Sequence, residues 1–182
     1  MGRTAPLLQR LQALDETITK PLMLPQERGL PQVLALCLAH TGDSYIWIAL
    51  LAAAWFLGDG RWKERALLAF AGLALAQIVV VIVKMLIRRP RPEGTAGKIY
   101  RKLDPYSFPS GHAARAAILS ILALVMGPAA AFVAIIAWSP FMILSRIAIG
   151  IHYVLDVVSG VLLGAGLTVV LLQVAALIPY RF

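Results

Sequence analysis

Long apolar runs separated by short polar clusters set the pattern of this chain. The longest runs cover residues 66–87, 111–126, 129–149 and 152–177. Each approaches or exceeds the roughly 20 residues that a helix needs to cross the apolar interior of a bilayer. Gly127-Pro128 reads as a turn between two of them, and Gly150 as the residue that ends the third. Gly160 and Gly164 form a small-xxx-small pair suited to close helix contact. Two shorter runs, 32–40 and 45–57, flank the polar break "AHTGDS" and fall short of a span individually. The second reads as the first true span, lengthened at its start, and the first as a short helix near the membrane surface. Further upstream, Leu7, Leu8, Leu11 and Leu14 recur at helical spacing, with Gln9, Gln12 and Glu16 opposite. Residues 6–18 therefore read as an amphipathic helix lying in the interface. Pro21, Pro25 and Pro31 then break the chain. The expected organisation is an N-terminal interfacial segment, 1–30, followed by a transmembrane domain, 31–182. The fold class is all-α, a polytopic membrane bundle of five to six spans.

Composition agrees with that pattern. Of the 182 residues 60% are hydrophobic and 14% charged, and the mean hydropathy is +0.80. A soluble domain of this size needs more polar surface to cover its core. The 17 Lys+Arg outweigh 9 Asp+Glu, for a net charge of +8. No basic tract stands apart from the apolar segments, so the positive charge points to anionic headgroups or lipid phosphates rather than nucleic acid. The single Cys37 cannot form an internal disulfide and reads as structural. The first 22 residues lack the uninterrupted apolar core of a signal peptide, so no cleaved leader is expected.

The order of the runs carries three polar clusters to one membrane face. The run 66–87 ends with Lys84 near its end and "RRPRP" just beyond. The following loop, to about residue 109, stays on that side and delivers "PSGH" (109–112) to the next run. The chain crosses, turns at Gly127-Pro128 and returns, bringing Ser145 and Arg146 back. His152 and Asp156 begin the last descent from the same face.

Each cluster has its own chemistry. Lys84 and Arg91 are seven apart and share a face if the helix continues that far, although Pro90 and Pro92 favour an end before Arg91. A cation one turn inside an apolar segment needs a partner or a function. Ser110 and Gly111 precede a helix, where backbone N–H groups and the dipole favour an anion. His112 follows in the first turn and can exchange a proton there; Arg115 shares its face. His152 and Asp156, at i and i+4, share a helical face. The carboxylate can accept the Nδ1 proton and leave Nε2 nucleophilic. Each cluster has a structural alternative when taken alone: a snorkelling basic flank, an N-cap serine with a surface histidine, or a polar pair joining two helices. Taken together they make an anion site with an acid and a nucleophile, and phosphate fits it best. With several fixed cations in place, neither a metal nor another cofactor is expected.

These motifs resemble the type 2 phosphatidic acid phosphatase family, which includes the lipid phosphate phosphatases and is related to the vanadium haloperoxidases. The pattern K-x6-R-P appears as Lys84, Arg91 and Pro92, and P-S-G-H as Pro109 to His112. S-R-x5-H-x3-D appears as Ser145, Arg146, His152 and Asp156. The likeness covers roughly residues 40–178 and implies an active site at one membrane face. It further implies that Lys84, Arg91 and Arg146 bind phosphate oxygens with Ser110 and the Gly111 amide. The same resemblance implies that His152, oriented by Asp156, attacks phosphorus to give a phosphohistidine. His112 protonates the leaving oxygen and then activates water, without a metal.

The expected activity is metal-independent hydrolysis of a phosphate from a lipid (di)phosphate such as undecaprenyl diphosphate, phosphatidylglycerophosphate or phosphatidic acid. Arg88, Arg89, Lys98, Arg101, Lys102 and Arg115 offer charge for a second phosphate. The alternatives are a vanadate-binding relative, a lipid phosphotransferase and a non-catalytic lipid-binding or transport protein. Discounting the cations needed for phosphate, the turn with Arg61, Lys63 and Arg65 belongs in the cytoplasm. That places the protein in the cytoplasmic membrane with its site on the outer face.

Overall fold

Every apolar run becomes a helix. The computed structural model describes residues 4–25, 29–93 and 104–177, with side chains from residue 9 onward. Among these residues the helices are α1 (Thr4–Thr19), α2 (Leu30–His40), α3 (Ser44–Leu57), α4 (Gly60–Ile87), α5 (Gly111–Met126), α6 (Ala129–Ala148) and α7 (Val154–Leu177). The chain is an all-helical membrane protein, as its pattern predicts. Lys98, Arg101 and Lys102 lie outside the described residues.

Three boundaries differ from the sequence expectation, each for a local reason. α4 starts six residues before position 66 because Asp59 caps it, accepting a hydrogen bond from Trp62 N at 3.0 Å. The "GRWKER" residues are therefore helical. α4 ends at Ile87, where Arg88 turns left-handed at φ 52° and returns its N–H to Lys84 O. α7 begins at Val154, so His152 precedes the helix instead of sharing its face with Asp156. Gly150, at φ 72°, makes the left-handed turn that ends α6.

The helices differ in their length against a bilayer. α4, α6 and α7 are each long and apolar enough to cross a membrane. α2 and α3 reach that length only as a pair bent by 47° at the break after His40. Among the described residues, length and composition thus support three crossings, or four with the bent pair. α5, with 16 residues, is about 24 Å long by helical rise, short of the roughly 30 Å apolar layer.

Small residues bring the site-bearing helices together. A Cβ at Gly160 of α7 would lie 2.4 Å from Ser110 O, and one at Gly164 would lie 2.3 Å from Ala114 O. Hence α7 runs against the backbone of α5, and the start of α5 is held beside the first turns of α7. On the other flank of α5, Ile118, Leu119 and Leu122 pack on Ala69, Leu73 and Ala76 of α4. Ser120 Oγ and Ser139 Oγ, 3.0 Å apart, join α5 to α6.

The N-terminal helix docks on the bundle. Leu11, Leu14 and Ile18 are exposed, as an outward apolar stripe requires. Its polar side docks on α7: Val154 N donates to Thr19 Oγ1 at 3.1 Å and Leu155 N to Asp15 Oδ1 at 3.1 Å. One helix thereby satisfies the orphan N–H groups at the start of another.

Candidate active site

Lys84 and Arg91 do converge, but by chain reversal. Beyond Arg88 the chain runs extended, and Pro90 bridges Tyr106 while Ser107 N donates to Arg89 O at 2.9 Å. This returns Arg91 to the end of α4. Lys84 Nζ and Arg91 Nη2 both bind the carboxylate of Asp104, Arg91 at 2.8 Å. Lys84 Nζ also donates to Tyr106 O at 3.0 Å, and Arg91 Nη1 to Ile151 O at 2.8 Å. Two cations buried this far from water need an anionic partner, and the half-exposed Asp104 supplies it.

His152 is fully enclosed beside Arg91. Its Nε2 lies 3.4 Å from Arg91 Nη1, and its Nδ1 lies 3.6 Å from Asp156 Oδ2, just beyond hydrogen-bond reach. Burial pushes the imidazole down to about 4, and the charges of Arg91 and Arg146 push the same way. It is therefore neutral at pH 7, as a nucleophile must be. Asp156 is fixed from three sides. Its Oδ2 accepts from Tyr153 N at 2.9 Å, its Oδ1 from Arg89 Nη1 at 2.8 Å, and its backbone O from Ser110 N at 2.9 Å.

Arg89 is consequently absent from the phosphate side, where charge counting had it available for a second phosphate. Its other nitrogen, Nη2, pairs with Asp15 Oδ2 of α1 at 2.7 Å, and its guanidinium stacks 4.0 Å from the Tyr153 ring. A guanidinium can bridge two carboxylates and stack at once, which suits it to such a buried seat. Arg88 is exposed and donates to Met85 O at 2.9 Å.

The third cluster brings a partner that the motifs did not announce. His112 Nε2 lies 2.8 Å from Asp43 Oδ1, and Asp43 Oδ2 lies 2.7 Å from His40 Nδ1. Asp43 sits in the "AHTGDS" break between α2 and α3. Trp138 Nε1 bonds Thr41 Oγ1 at 2.8 Å, Trp47 Nε1 bonds Thr41 O at 3.1 Å, and Arg115 Nε bonds Gly42 O at 3.2 Å. These bonds pin the break in place. The only cue in the sequence was a polar interruption between two apolar runs. Asp104 had no cue beyond its place in a polar loop.

These groups open on one cleft of about 660 Å³. Lys84, Arg91, Arg115, Arg146, His112 and His152 line it, with Asp43 and Asp104 as the acidic members. Gly111 lies on its wall. Ser110 is fully buried beneath it, and its Oγ accepts from Ala113 N at 3.4 Å as the cap of α5. Arg146, also buried, donates from Nη1 to Ala39 O at 3.4 Å. On the α3 and α4 side the lining changes to Tyr45, Ile48, Val81 and Met85, all exposed. A polar, cationic end and an apolar, outward-opening end thus share one cavity.

Known proteins resemble this chain in sequence and in fold. Residues 65–178 match the PAP2 superfamily. The decaprenylphosphoryl-5-phosphoribose phosphatase of Mycobacterium tuberculosis is 36% identical over 151 residues, covering 81% of this chain and 78% of that one. An undecaprenyl-diphosphatase of Sulfolobus acidocaldarius is 26% identical over 148 residues, covering 79% and 70%. Among solved structures, a transmembrane PAP2-type phosphatidylglycerolphosphate phosphatase from Bacillus subtilis superposes with a TM-score of 0.71 at 22% identity, over 94% of this chain and 90% of that one. LpxE of Aquifex aeolicus gives 0.67 at 22% identity, over 89% and 94%. The chain belongs to the PAP2 superfamily.

Proposed function

We propose that this PAP2 phosphatase removes a phosphate from a lipid-linked monoester or diphosphate through a phosphohistidine on His152. The observation that carries the reading is the cleft itself, which joins four cations and two histidines to an apolar mouth between α3 and α4. In this reading the substrate phosphate displaces Asp104 from Lys84 and Arg91 and gains Arg146. The His152 Nε2 lone pair attacks phosphorus while the bond to the leaving oxygen breaks. His112 gives that oxygen its proton. A water then attacks phosphorus and breaks the phosphorus–nitrogen bond, losing its proton to His112 and releasing inorganic phosphate and free His152. The fixed cations hold the charge that builds on the equatorial oxygens, so the step calls for no metal. Ser110 acts from beneath as the cap of α5, and Gly111 brings its backbone to the cleft wall.

The lipid tail lies along Ile48, Val81 and Met85. Polyprenyl-linked substrates are favoured because the two curated relatives act, by name, on decaprenyl and undecaprenyl compounds. Arg115, which faces the same cleft, is the described cation placed to take a second phosphate. Phosphate release in detergent with EDTA, compared between a polyprenyl diphosphate, phosphatidylglycerophosphate, phosphatidic acid and glycerol 3-phosphate, tests the class. The lipids are expected to exceed the soluble ester in kcat/KM by at least about 100-fold. That ratio equals about 2.7 kcal/mol, the burial of roughly 110 Å² of tail. Equal values, or activity lost to EDTA, contradict the reading.

The site faces outward from the cytoplasmic membrane in this proposal, with the Arg61–Lys63–Arg65 end of α4 inside. A Lys63→Cys, Cys37→Ser protein in intact cells should resist a membrane-impermeant thiol reagent and react after permeabilisation. Labelling in intact cells reverses the orientation.

A further inference from the structure

We infer that Asp43 is a positioning residue for His112, holding its ring so that Nδ1 meets the leaving oxygen. The inference rests on the proposed role of His112 as the acid. Asp43 lies ahead of the residues that match the superfamily, 65–178, so no family motif includes it.

The geometry points to this role in three ways. Asp43 occupies the N-cap position of α3, where an aspartate ordinarily accepts a backbone N–H, yet its side chain makes no cap bond. Both its oxygens go to histidines instead, Oδ1 to His112 and Oδ2 to His40. Second, the contact with His112 uses Nε2, which assigns that nitrogen its proton and leaves Nδ1 for the substrate. Third, one edge of the ring faces the polar break. A Cβ on Gly42 would lie 2.9 Å from His112 Cδ2, so the Cδ2 edge adjoins the break and Nδ1 lies on the opposite edge of the ring.

The charges around the ring explain why a carboxylate is needed. Arg115 stands one turn along α5, and Arg146 enters from α6; both line the same cleft. Two guanidinium groups beside an imidazole oppose the cationic state it must hold before giving up its proton. Asp43 is the acidic side chain bonded to it and offsets them. His40, half-exposed, holds the far oxygen and keeps the carboxylate facing inward.

The test separates a leaving group that needs a proton from one that does not. An alkyl phosphate leaves as a strongly basic alkoxide and depends on the acid; p-nitrophenyl phosphate leaves as a stable phenolate and hardly does. Asp43→Asn should lower kcat/KM, which reports phosphoryl transfer to His152 and not the later hydrolysis, by about 10²-fold on the alkyl phosphate and by less than about 5-fold on p-nitrophenyl phosphate. Activity on the aryl ester also shows that the variant is folded. Asp43→Ser, whose hydroxyl can cap α3, carries the same comparison if the asparagine form does not fold. Equal losses on both substrates, or no loss on either, overturn the proposal. His112→Ala is run alongside. If it discriminates between the substrates and Asp43→Asn does not, the Asp43 role alone fails. If neither discriminates, the acid assignment of His112 fails and takes the inference with it.

Discussion

His152→Ala should lose lipid phosphatase activity by at least about 10⁴-fold in kcat, because it removes the proposed nucleophile. The loss should fall on kcat with little change in KM. Lys84, Arg91 and Arg146, the cations proposed to hold the phosphate, remain in the cleft, and of these Arg91 loses only its 3.4 Å contact with His152 Nε2. Folding is not expected to suffer comparably. His152 Nδ1 has no hydrogen-bond partner in the resting site, so its removal breaks no satisfied buried bond at that atom. The pH dependence gives a second reading of the same residue. Its imidazole is held down near 4 by burial, so the neutral form persists as pH falls through 6.5. The acid limb set by His152 in kcat/KM, after allowance for the substrate's own ionisation, should therefore appear near pH 4. A limb near 6.5 that vanishes only in His152 variants would show an exposed, unperturbed histidine instead.

The second large effect belongs to a residue at an unspecified position within the K-x6-R-P motif. Arg89→Met should lower stability by about 3–5 kcal/mol, since it strands two buried carboxylates, Asp15 and Asp156, without their shared cation. The fall is read as a lower thermal midpoint in detergent. Activity should drop as well, by about 10²-fold, because Asp156 is freed from one of its anchors and the nucleophile beside it shifts. Arg89→Lys is expected to recover little: one ammonium cannot bridge Asp15 and Asp156 while stacking on Tyr153. A normal midpoint with full activity in Arg89→Met would mean that α1 and α7 are held by the two backbone caps alone.

Arg89 also shows what the sequence could and could not disclose. The three motif clusters were legible because apolar runs fix the direction of each helix, and direction alone sends Lys84, His112, Arg146 and His152 to one end. Their mutual contacts were less legible. Lys84 and Arg91 meet because Arg88 turns left-handed and Pro90 pairs with Tyr106, not because a helix carries both. His152 stands before α7, so its place beside Asp156 comes from the reversal at Gly150 and from Tyr153 N bonding the carboxylate. Counting charge assigned Arg89 to phosphate; burial and two acidic partners assign it to α1 and α7. The same holds at the N-terminus. The leucine stripe of α1 was visible as a period, whereas the use of Asp15 and Thr19 to cap a helix more than 130 residues away leaves no periodic trace. Asp43 was visible only as part of a polar break, and its pairing with His112 across 69 residues is a tertiary fact.

The central claim is that His152 carries the phosphoryl group. The direct measurement uses His112→Ala, in which hydrolysis of the intermediate should be slow, mixed with radiolabelled p-nitrophenyl phosphate and quenched in alkaline detergent. Protein-bound label that survives base and is released by acid should appear in His112→Ala and be absent from the His112→Ala, His152→Ala double variant. Label that persists without His152, or phosphate released in a burst while His112→Ala remains unlabelled, would contradict the account.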